Sequence, residues 1–384
     1  MAETVFLHVG APKTGTSYLQ LLLWHNEKSL EAQGVFLPLG KRRAQFDAVG
    51  DLRGGMWADP EGSASWADLV RAVASRPGSA LVSEELLCAT PPEQIRTAVE
   101  SLAPADVHVI CGFRDLARQV PAEWQQAVRA RSAMDYVTWL DALRDDPERP
   151  FWQVQDPVRV ASRWATVLPR ENIHVLTVPP AGSSASLLWE RFASVVGIDP
   201  TRAEAPDRRQ NESLGCAESE LLRRINGRLG DSLPLRRPYL SVVRDHLLRP
   251  GLMGSDGTRV GVPAEHQEWI RERSAEIATD LEGLGVDIVG NAGDLVSTEF
   301  VGDATPGDLT DSELLETSLE VWVKVLRHLE TDVVQARGRI AKRQRRQVAD
   351  LRMQVAELRA ELDAVKGSRA FKIARRVGRR LPRG

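Results

Sequence analysis

Residues 5–20 read VFLHVGAPKTGTSYLQ and contain three kinds of local pattern in succession. The apolar run 5–9 is typical of a buried strand, and from Thr16 onward apolar side chains recur at helical spacing. Two glycines and a proline lie between them, in 10–15, and predict a tight loop. Because such a loop and the following helix N-terminus direct backbone N–H groups toward one point, the segment predicts an anion-binding site.

The side chains of this loop support the same prediction. Lys13 adds a full positive charge, and neighbouring threonines and a serine add hydroxyl donors. The residue order differs from that of a Walker A loop, where the lysine follows the second glycine, because here Lys13 precedes Gly15. A tight turn that only happens to hold a lysine is the alternative. The expected anion-binding residues are Gly10, Ala11, Pro12, Lys13, Thr14, Gly15, Thr16 and Ser17.

The pattern beyond this loop predicts an α/β fold. Apolar stretches alternate with helical ones, which is typical of a P-loop-type parallel sheet flanked by helices on both faces. Ligands of such sheets bind beyond the carboxyl ends of the strands. The predicted strands and extended segments are 5–9, 34–39, 79–83, 107–113 and 172–178.

Charged residues follow two of these strands. Glu84 and Glu85 come directly after one of them, where a carboxylate near an anion site could accept a proton from a hydroxyl substrate. Capping of the next helix is the alternative for this pair. Arg114 follows another strand and suits a second anion, with a structural salt bridge to Asp115 or a neighbour as the alternative. His8 could help to orient the site, although a core position is the simpler interpretation.

Composition narrows the class of protein. The 384 residues are 42% hydrophobic, enough for one large or two modest domains, and a net charge of −3 indicates no nucleic-acid partner. The three cysteines, Cys88, Cys111 and Cys216, do not make a disulfide framework and fit a reducing cytoplasm. Residues 1–4 lead directly into the first strand, and no apolar run reaches about 18 residues. Neither a signal peptide nor a membrane span is therefore expected, and a cytoplasmic location is predicted.

Several segments lack a strand or helix pattern. Residues 40–65 read as an irregular loop, either a lid that binds an acceptor or a plain surface excursion. Residues 230–263 are rich in proline, glycine and arginine, and 285–310 read as a linker. The predicted domains are 1–300, a P-loop-type domain; 311–365, a helical extension; and 366–384, a basic tail.

The last 74 residues differ in character from the rest of the chain. Within 348–365, apolar residues alternate spacings of three and four, which predicts a short coiled coil with a partner or a second copy, or a helix packed back on the domain. The tail 366–384 carries eight basic residues, no acidic residue and an apolar helical face. It predicts peripheral contact with an anionic membrane, or a solvated tail. The coiled-coil positions are Val348, Leu351, Val355, Leu358, Leu362 and Val365.

The loop and the arginine together resemble the sulfotransferases that use 3′-phosphoadenosine 5′-phosphosulfate (PAPS), over roughly residues 4–225. Residues 12–17 match the 5′-phosphosulfate motif of that family, and Arg114 matches the arginine of its 3′-phosphate motif. The family usually has a serine eight positions after that arginine, where this chain has Ala122. The missing contact is then expected from Gln119, Gln125 or Ser213.

The resemblance also bears on the glutamates and on a later loop. The pattern Ser83-x-Glu85 looks like that of bacterial members, which favours Glu85 over Glu84 as the base. Residues 211–215, NESLG, look like a late loop of bacterial members, which either contacts the donor through Ser213 or only caps a helix.

The resemblance implies in-line transfer of a sulfuryl group from PAPS without a metal. The acceptor is expected to be a hydroxyl, or an amino group, of a sugar or glycolipid. Lys13 would stabilise the leaving phosphate, and Glu85 or Glu84 would take the acceptor proton. Two other classes of function stay open. One is a P-loop kinase, although the position of the lysine in the loop is not that of a kinase. The other is a non-catalytic scaffold, which the absence of a serine at Ala122 favours.

Overall fold

The structure is a computed structural model, and it describes residues 1–55, 64–205, 214–230, 232–233, 239–254, 257–300, 302, 304–367 and 369. Within these ranges six strands form one sheet in the order β2-β3-β1-β4-β5-β6, and every pair is parallel. The strands are β1 (Thr4–Gly10), β2 (Val35–Phe36), β3 (Ser79–Ser83), β4 (Asp106–Phe113), β5 (Ile173–Thr177) and β6 (Asp287–Val289).

Helices connect the strands and cover the sheet. They are α1 (Thr16–His25), α2 (Glu27–Glu31), α3 (Arg42–Leu52), α4 (Trp66–Ala74), α5 (Pro92–Ser101), α6 (Leu116–Arg129), α7 (Tyr136–Asp145), α8 (Pro150–Gln155), α9 (Pro157–Trp164), α10 (Leu187–Val196), α11 (Cys216–Leu229), α12 (Leu240–Leu252, wound as a π-helix), α13 (Ala264–Gly283) and α14 (Asp311–Gly367). The predicted α/β class, a parallel sheet flanked by helices, is therefore confirmed.

Alternating side chains of the central strand reach opposite faces of the sheet. Val5 and Leu7 of β1 belong to one buried cluster, which also contains Trp164 of α9. Phe6, between them, belongs to a second cluster, together with Leu19 of α1 and Phe192 of α10. Both faces of the sheet are thus buried, as expected where parallel strands are joined by helical crossovers.

Three of the segments expected to be irregular contain regular structure. In 40–65 the helix α3 buries Ala48 and Val49 in the core. The buried Gln45 amide bonds to the Pro38 and Leu81 carbonyl oxygens and accepts from the Ser83 N–H. Because a polar residue occupies this buried position, the pattern of hydrophobic residues does not predict the helix. Residues 56–63 of the same segment lie outside the described residues.

The other two corrections lie later in the chain. Residues 285–310 are not a plain linker, because they contain β6, which extends the sheet beside β5 through the pair His174 and Asp287. β6 has only three residues, too few for a period-two pattern to show. Residues 230–263 contain α12, whose proline and glycine argued against a helix.

The described residues divide into two compact units. One comprises Met1–Pro238 and Leu252–Ser318, and contains the whole sheet. The other comprises Tyr239–Gly251 and Leu319–Gly384. In the second unit a Cβ at Gly251 would lie 2.9 Å from Val325 and 3.0 Å from Val321, so α12 and α14 pack closely there. No helix of the described residues is long and apolar enough to cross a membrane.

Candidate active site

The loop that follows β1 is tied to the neighbouring strand. The Ala11 N–H donates to the Gly112 carbonyl oxygen of β4 at 2.8 Å, and the Thr14 hydroxyl donates to the Ala11 carbonyl oxygen at 2.6 Å. A Cβ at Gly112 would lie 3.2 Å from that hydroxyl oxygen, so the strand and the loop are in close contact. The Thr14 hydroxyl hydrogen is thus used within the loop, and the Thr14 N–H remains for a ligand.

Two residues of the loop have left-handed backbone conformations. Lys13 has φ 64° and Gly15 has φ 93° directly before α1. Within the described part of the chain, the N–H groups of Lys13, Gly15, Thr16 and Ser17 donate to no acceptor. These groups lie at the positive end of α1, which is the arrangement that binds phosphate-like anions.

These groups open into a cavity of about 760 Å³ at the carboxyl end of the sheet. Of the residues expected at the site, the structure brings together 12–17, Glu85 and Arg114. Gly10, Ala11 and Glu84 do not line the cavity, and Ser213 lies outside the described residues. The lining residues are Pro12, Lys13, Thr14, Gly15, Thr16, Ser17, Glu85, Arg114, Arg118, Ala122, Glu123, Gln125, Gln126, Arg129, Val178 and Met253.

The two adjacent glutamates are in different surroundings. Glu85 lines the cavity and accepts a hydrogen bond at Oε2 from the Thr16 hydroxyl at 2.9 Å, which fixes the carboxylate beside the loop. Glu84 is only 5% exposed and caps the short turn 85–87, accepting from the Leu86 N–H at 3.3 Å. Burial raises the pKa of Glu84 to about 7. The capping alternative therefore describes Glu84, and only Glu85 can meet a ligand in the cavity.

The cations of the cavity are partly buried. Burial, and then the charge of Arg129, lower the pKa of Lys13. Burial lowers the pKa of Arg114 to about 10, so its guanidinium keeps its charge at neutral pH. The Arg114 Nε donates to Gln119 at 3.2 Å and its Nη2 to the Arg118 carbonyl oxygen at 2.7 Å. Asp115 pairs with Arg118 and not with Arg114, so the alternative of a salt bridge between Arg114 and Asp115 does not hold.

The structure separates the three residues expected to replace a serine at Ala122. Ala122 itself lines the cavity. Gln119 does not line the cavity, and its Nε2 donates to the Pro12 carbonyl oxygen at 2.9 Å. Gln125 lines the cavity, but its Nε2 donates to the Leu214 carbonyl oxygen and to the Ser219 hydroxyl, which leaves only an acceptor oxygen. Neither described glutamine therefore offers a free N–H to an anion.

Sequence reasoning missed four polar residues of the cavity: Arg118, and three that follow Ala122, namely Glu123, Gln126 and Arg129. Burial raises the pKa of Glu123 to about 7, against the charges of Lys13 and Arg114. The three side chains follow Ala122 on α6 at one, four and seven positions, which is one face of a helix. That spacing was the available signal, but no motif drew attention to it.

His8 is a core residue, as the simpler interpretation has it. Its Nδ1 lies 2.7 Å from the Ser83 hydroxyl oxygen, and its ring packs edge-on against Phe192 at 5.2 Å between centroids. Burial lowers the pKa of His8 to about 4, so the ring is neutral at pH 7. His8 supports the junction of β1 and β3 and takes no part in the cavity lining.

The chain resembles a known protein in its fold but not closely in its sequence. No protein-family model matches the chain, and no curated protein matches it. Among solved structures, the chain is similar to a sulfotransferase from Alicyclobacillus acidocaldarius, with 13% sequence identity and a TM-score of 0.39. The match covers 73% of this chain and 94% of that one.

Proposed function

We propose that the chain transfers a sulfuryl group from PAPS to a hydroxyl or amino group of an acceptor, a sugar or a glycolipid. The observation that carries this proposal is the position of Lys13 ahead of Gly15, in a loop whose N–H groups face one cavity together with Glu85 and Arg114. A carboxylate and two cations around one anion-binding loop suit transfer of an anionic group to a nucleophile that must lose a proton.

The donor set fits the two anionic ends of PAPS. Lys13 and the N–H groups of 13–17 would hold the 5′-phosphosulfate, and Arg114 would hold the 3′-phosphate. Hydrogen bonds to Gln119 and to the Arg118 carbonyl oxygen orient the Arg114 guanidinium, and its other N–H groups remain for an anion. When bound, PAPS supplies the activated sulfuryl group. Lysine, arginine and backbone N–H groups are the usual partners of phosphate oxygens.

The proton chemistry falls to Glu85. Its Oε2 is fixed by Thr16, the first residue of α1, so the carboxylate is held against the loop that binds the transferred group. As the acceptor oxygen or nitrogen bonds to sulfur, Glu85 takes its proton. Lys13 and the loop N–H groups stabilise the charge that develops on the leaving phosphate oxygen.

Binding of adenosine 3′,5′-bisphosphate, measured by calorimetry in EDTA, tests the donor site. We expect binding without a metal, and magnesium-dependent nucleotide binding would instead indicate a kinase.

Transfer is tested by incubating the protein with radiolabelled PAPS and a bacterial lysate and separating the products. We expect Glu85→Gln to lose more transfer than Glu84→Gln, because only Glu85 lines the cavity. Folded protein that binds no nucleotide would refute the proposal.

A further inference from the structure

The Glu123 carboxylate is held beside the anion-binding loop by two buried amides. Gln155 Nε2 lies 3.1 Å from Glu123 Oε1 and 3.3 Å from the Pro12 carbonyl oxygen. Gln119 Nε2 lies 3.5 Å from the same carboxylate oxygen and 2.9 Å from the same carbonyl oxygen. The two glutamines are 5% and 1% exposed. A built polar network therefore fixes Glu123 to the residue that precedes Lys13.

One oxygen of this carboxylate stays open to the cavity. Glu123 Oε2 makes no hydrogen bond within the described part of the chain, and Glu123 is among the cavity-lining residues. The charges that act on it are those of Lys13 from the loop, Glu85 from the turn after β3 and Arg114 from the end of β4. Arg118 and Arg129, on the same helix as Glu123, line the cavity as well. An anion that binds to Lys13 and Arg114 must therefore lie close to the negative charge of the Glu123 carboxylate.

We propose that Glu123 balances the charge of Lys13 and takes up a proton from solvent when an anionic ligand occupies the cavity. Two negative groups that share a partly buried site cannot both stay ionised at low cost, so one of them takes a proton. The positive charge of Lys13 then balances the charge of the anion and no longer that of Glu123. This inference rests on the proposed function only in assuming that an anion binds in this cavity.

The electrostatics support this assignment. Burial raises the pKa of Glu123 to about 7, so the carboxyl is about half protonated at neutral pH before any anion binds. A nearby anion raises that pKa further. Binding then takes up about half a proton at pH 7, and above pH 7 the affinity falls by a factor that approaches ten for each pH unit.

Calorimetry with adenosine 3′,5′-bisphosphate, and separately with inorganic pyrophosphate, tests the proposal. Titrations at one pH in buffers of different ionisation enthalpy give the number of protons taken up. The ligands' own phosphates also titrate, so the decisive quantity is the difference between wild type and Glu123→Gln. The glutamine keeps an oxygen for Gln155 and removes the titrating group. We expect this variant to lose the uptake and to bind about tenfold more tightly than wild type at pH 8, with little difference at pH 6.

Glu84→Gln is the matched control, because burial raises the pKa of that carboxyl also to about 7 although it does not line the cavity. We expect it to keep the wild-type proton uptake. Absence of uptake in wild type, equal uptake in Glu123→Gln, or failure of both ligands to bind would each overturn the inference. If the nucleotide binds without uptake, the inference fails and the proposed donor site stands. If pyrophosphate alone binds, with uptake that Glu123→Gln removes, the inference stands and the proposed donor fails.

Discussion

Lys13 combines a charge with an unusual backbone conformation. Its φ of 64° turns the loop so that the following N–H groups and the ammonium serve one cavity. Most residues with side chains avoid this region of φ, so a lysine that adopts it points to a local function rather than to chain propensity. Lys13 is half-buried, and this burial lowers its pKa.

Lys13→Ala should abolish transfer and leave the fold intact. Loss of one preorganised donor in such sites lowers turnover by about 100- to 1000-fold. Lys13 lines the cavity and does not belong to the hydrophobic core, so the melting temperature should change little. Turnover from radiolabelled PAPS and thermal unfolding are the measurements. Turnover within threefold of wild type would exclude Lys13 from the transition state.

Glu84→Gln should stabilise the protein at high pH. Burial raises the pKa of Glu84 from 4.5 to about 7, so over that interval the folded state holds a proton that the unfolded state has released. The free energy of unfolding of wild type therefore falls between pH 4.5 and about 7, by an amount on the order of 3 kcal/mol. The glutamine variant lacks this loss.

Urea unfolding of both proteins at pH 5 and pH 8 measures the effect. The gain from Glu84→Gln should be larger at pH 8 than at pH 5, because only the ionised carboxylate is costly to bury. An equal effect at the two pH values would show that Glu84 titrates normally.

At the scale of the element, the junction of the loop with α1 depends on the space at Gly15. A Cβ there would lie 2.5 Å from Leu188 Cδ2 of α10, and the residue has φ 93°. A side chain at Gly15 would therefore require Leu188 to shift.

Gly15→Ala should weaken nucleotide binding at least tenfold. A left-handed alanine costs about 1–3 kcal/mol, and the contact with Leu188 adds to that cost. Gly182→Ala is the matched control, because Gly182 also has positive φ, at 83°, but a Cβ there would meet nothing within 4 Å. Calorimetry with adenosine 3′,5′-bisphosphate compares the two. Equal affinities would show that the approach of α10 does not shape the site.

At the scale of the whole molecule, the long helix α14 presents an apolar seam to solvent. Val348, Leu351, Val355 and Leu358 are 47, 59, 45 and 64% exposed. Valines and leucines that alternate in this way favour two parallel strands in coiled coils. We therefore propose a second copy of the chain as the partner of this seam.

Leu351→Asp combined with Leu358→Asp should separate such a dimer into monomers. Light scattering of the wild type should give twice the mass of one chain, and the double variant should give the mass of one. Met353→Asp is the control, since Met353 is 62% exposed but lies off the seam. A monomeric wild type at micromolar concentration would refute the dimer.

The basic tail should attach the protein to anionic membranes. Lys366 and Arg369 are exposed, and the tail from 370 onward lies outside the described residues. Each basic residue near an anionic surface contributes about 1 kcal/mol, and salt screens this attraction. The full chain should pellet with phosphatidylserine vesicles at low salt, and a chain that ends at Val365 should not. Equal pelleting of the two would exclude the tail as the anchor.

Local chemistry was sufficient for the fold class and for the strand, loop and helix at the start of the chain. Four of the strands are apolar runs of ordinary length, and a glycine-rich turn between a strand and a helix has few alternative conformations. The same reasoning failed at α3 and β6. Gln45 satisfies its polar groups only through contacts with distant segments, and the three residues of β6 become a strand only by pairing with β5.

The arrangement of the cavity depends on tertiary structure. Glu84 and Glu85 are neighbours with the same side chain, and only the turn after β3 determines which of them meets the cavity and which is buried as a cap. Glu123 gains its position from Gln155, which is 32 residues away in the sequence. Local sequence determines where a strand, loop and helix form, because those interactions span a few residues. Which carboxyl loses its water, and which cation it faces, is decided only when distant elements pack together.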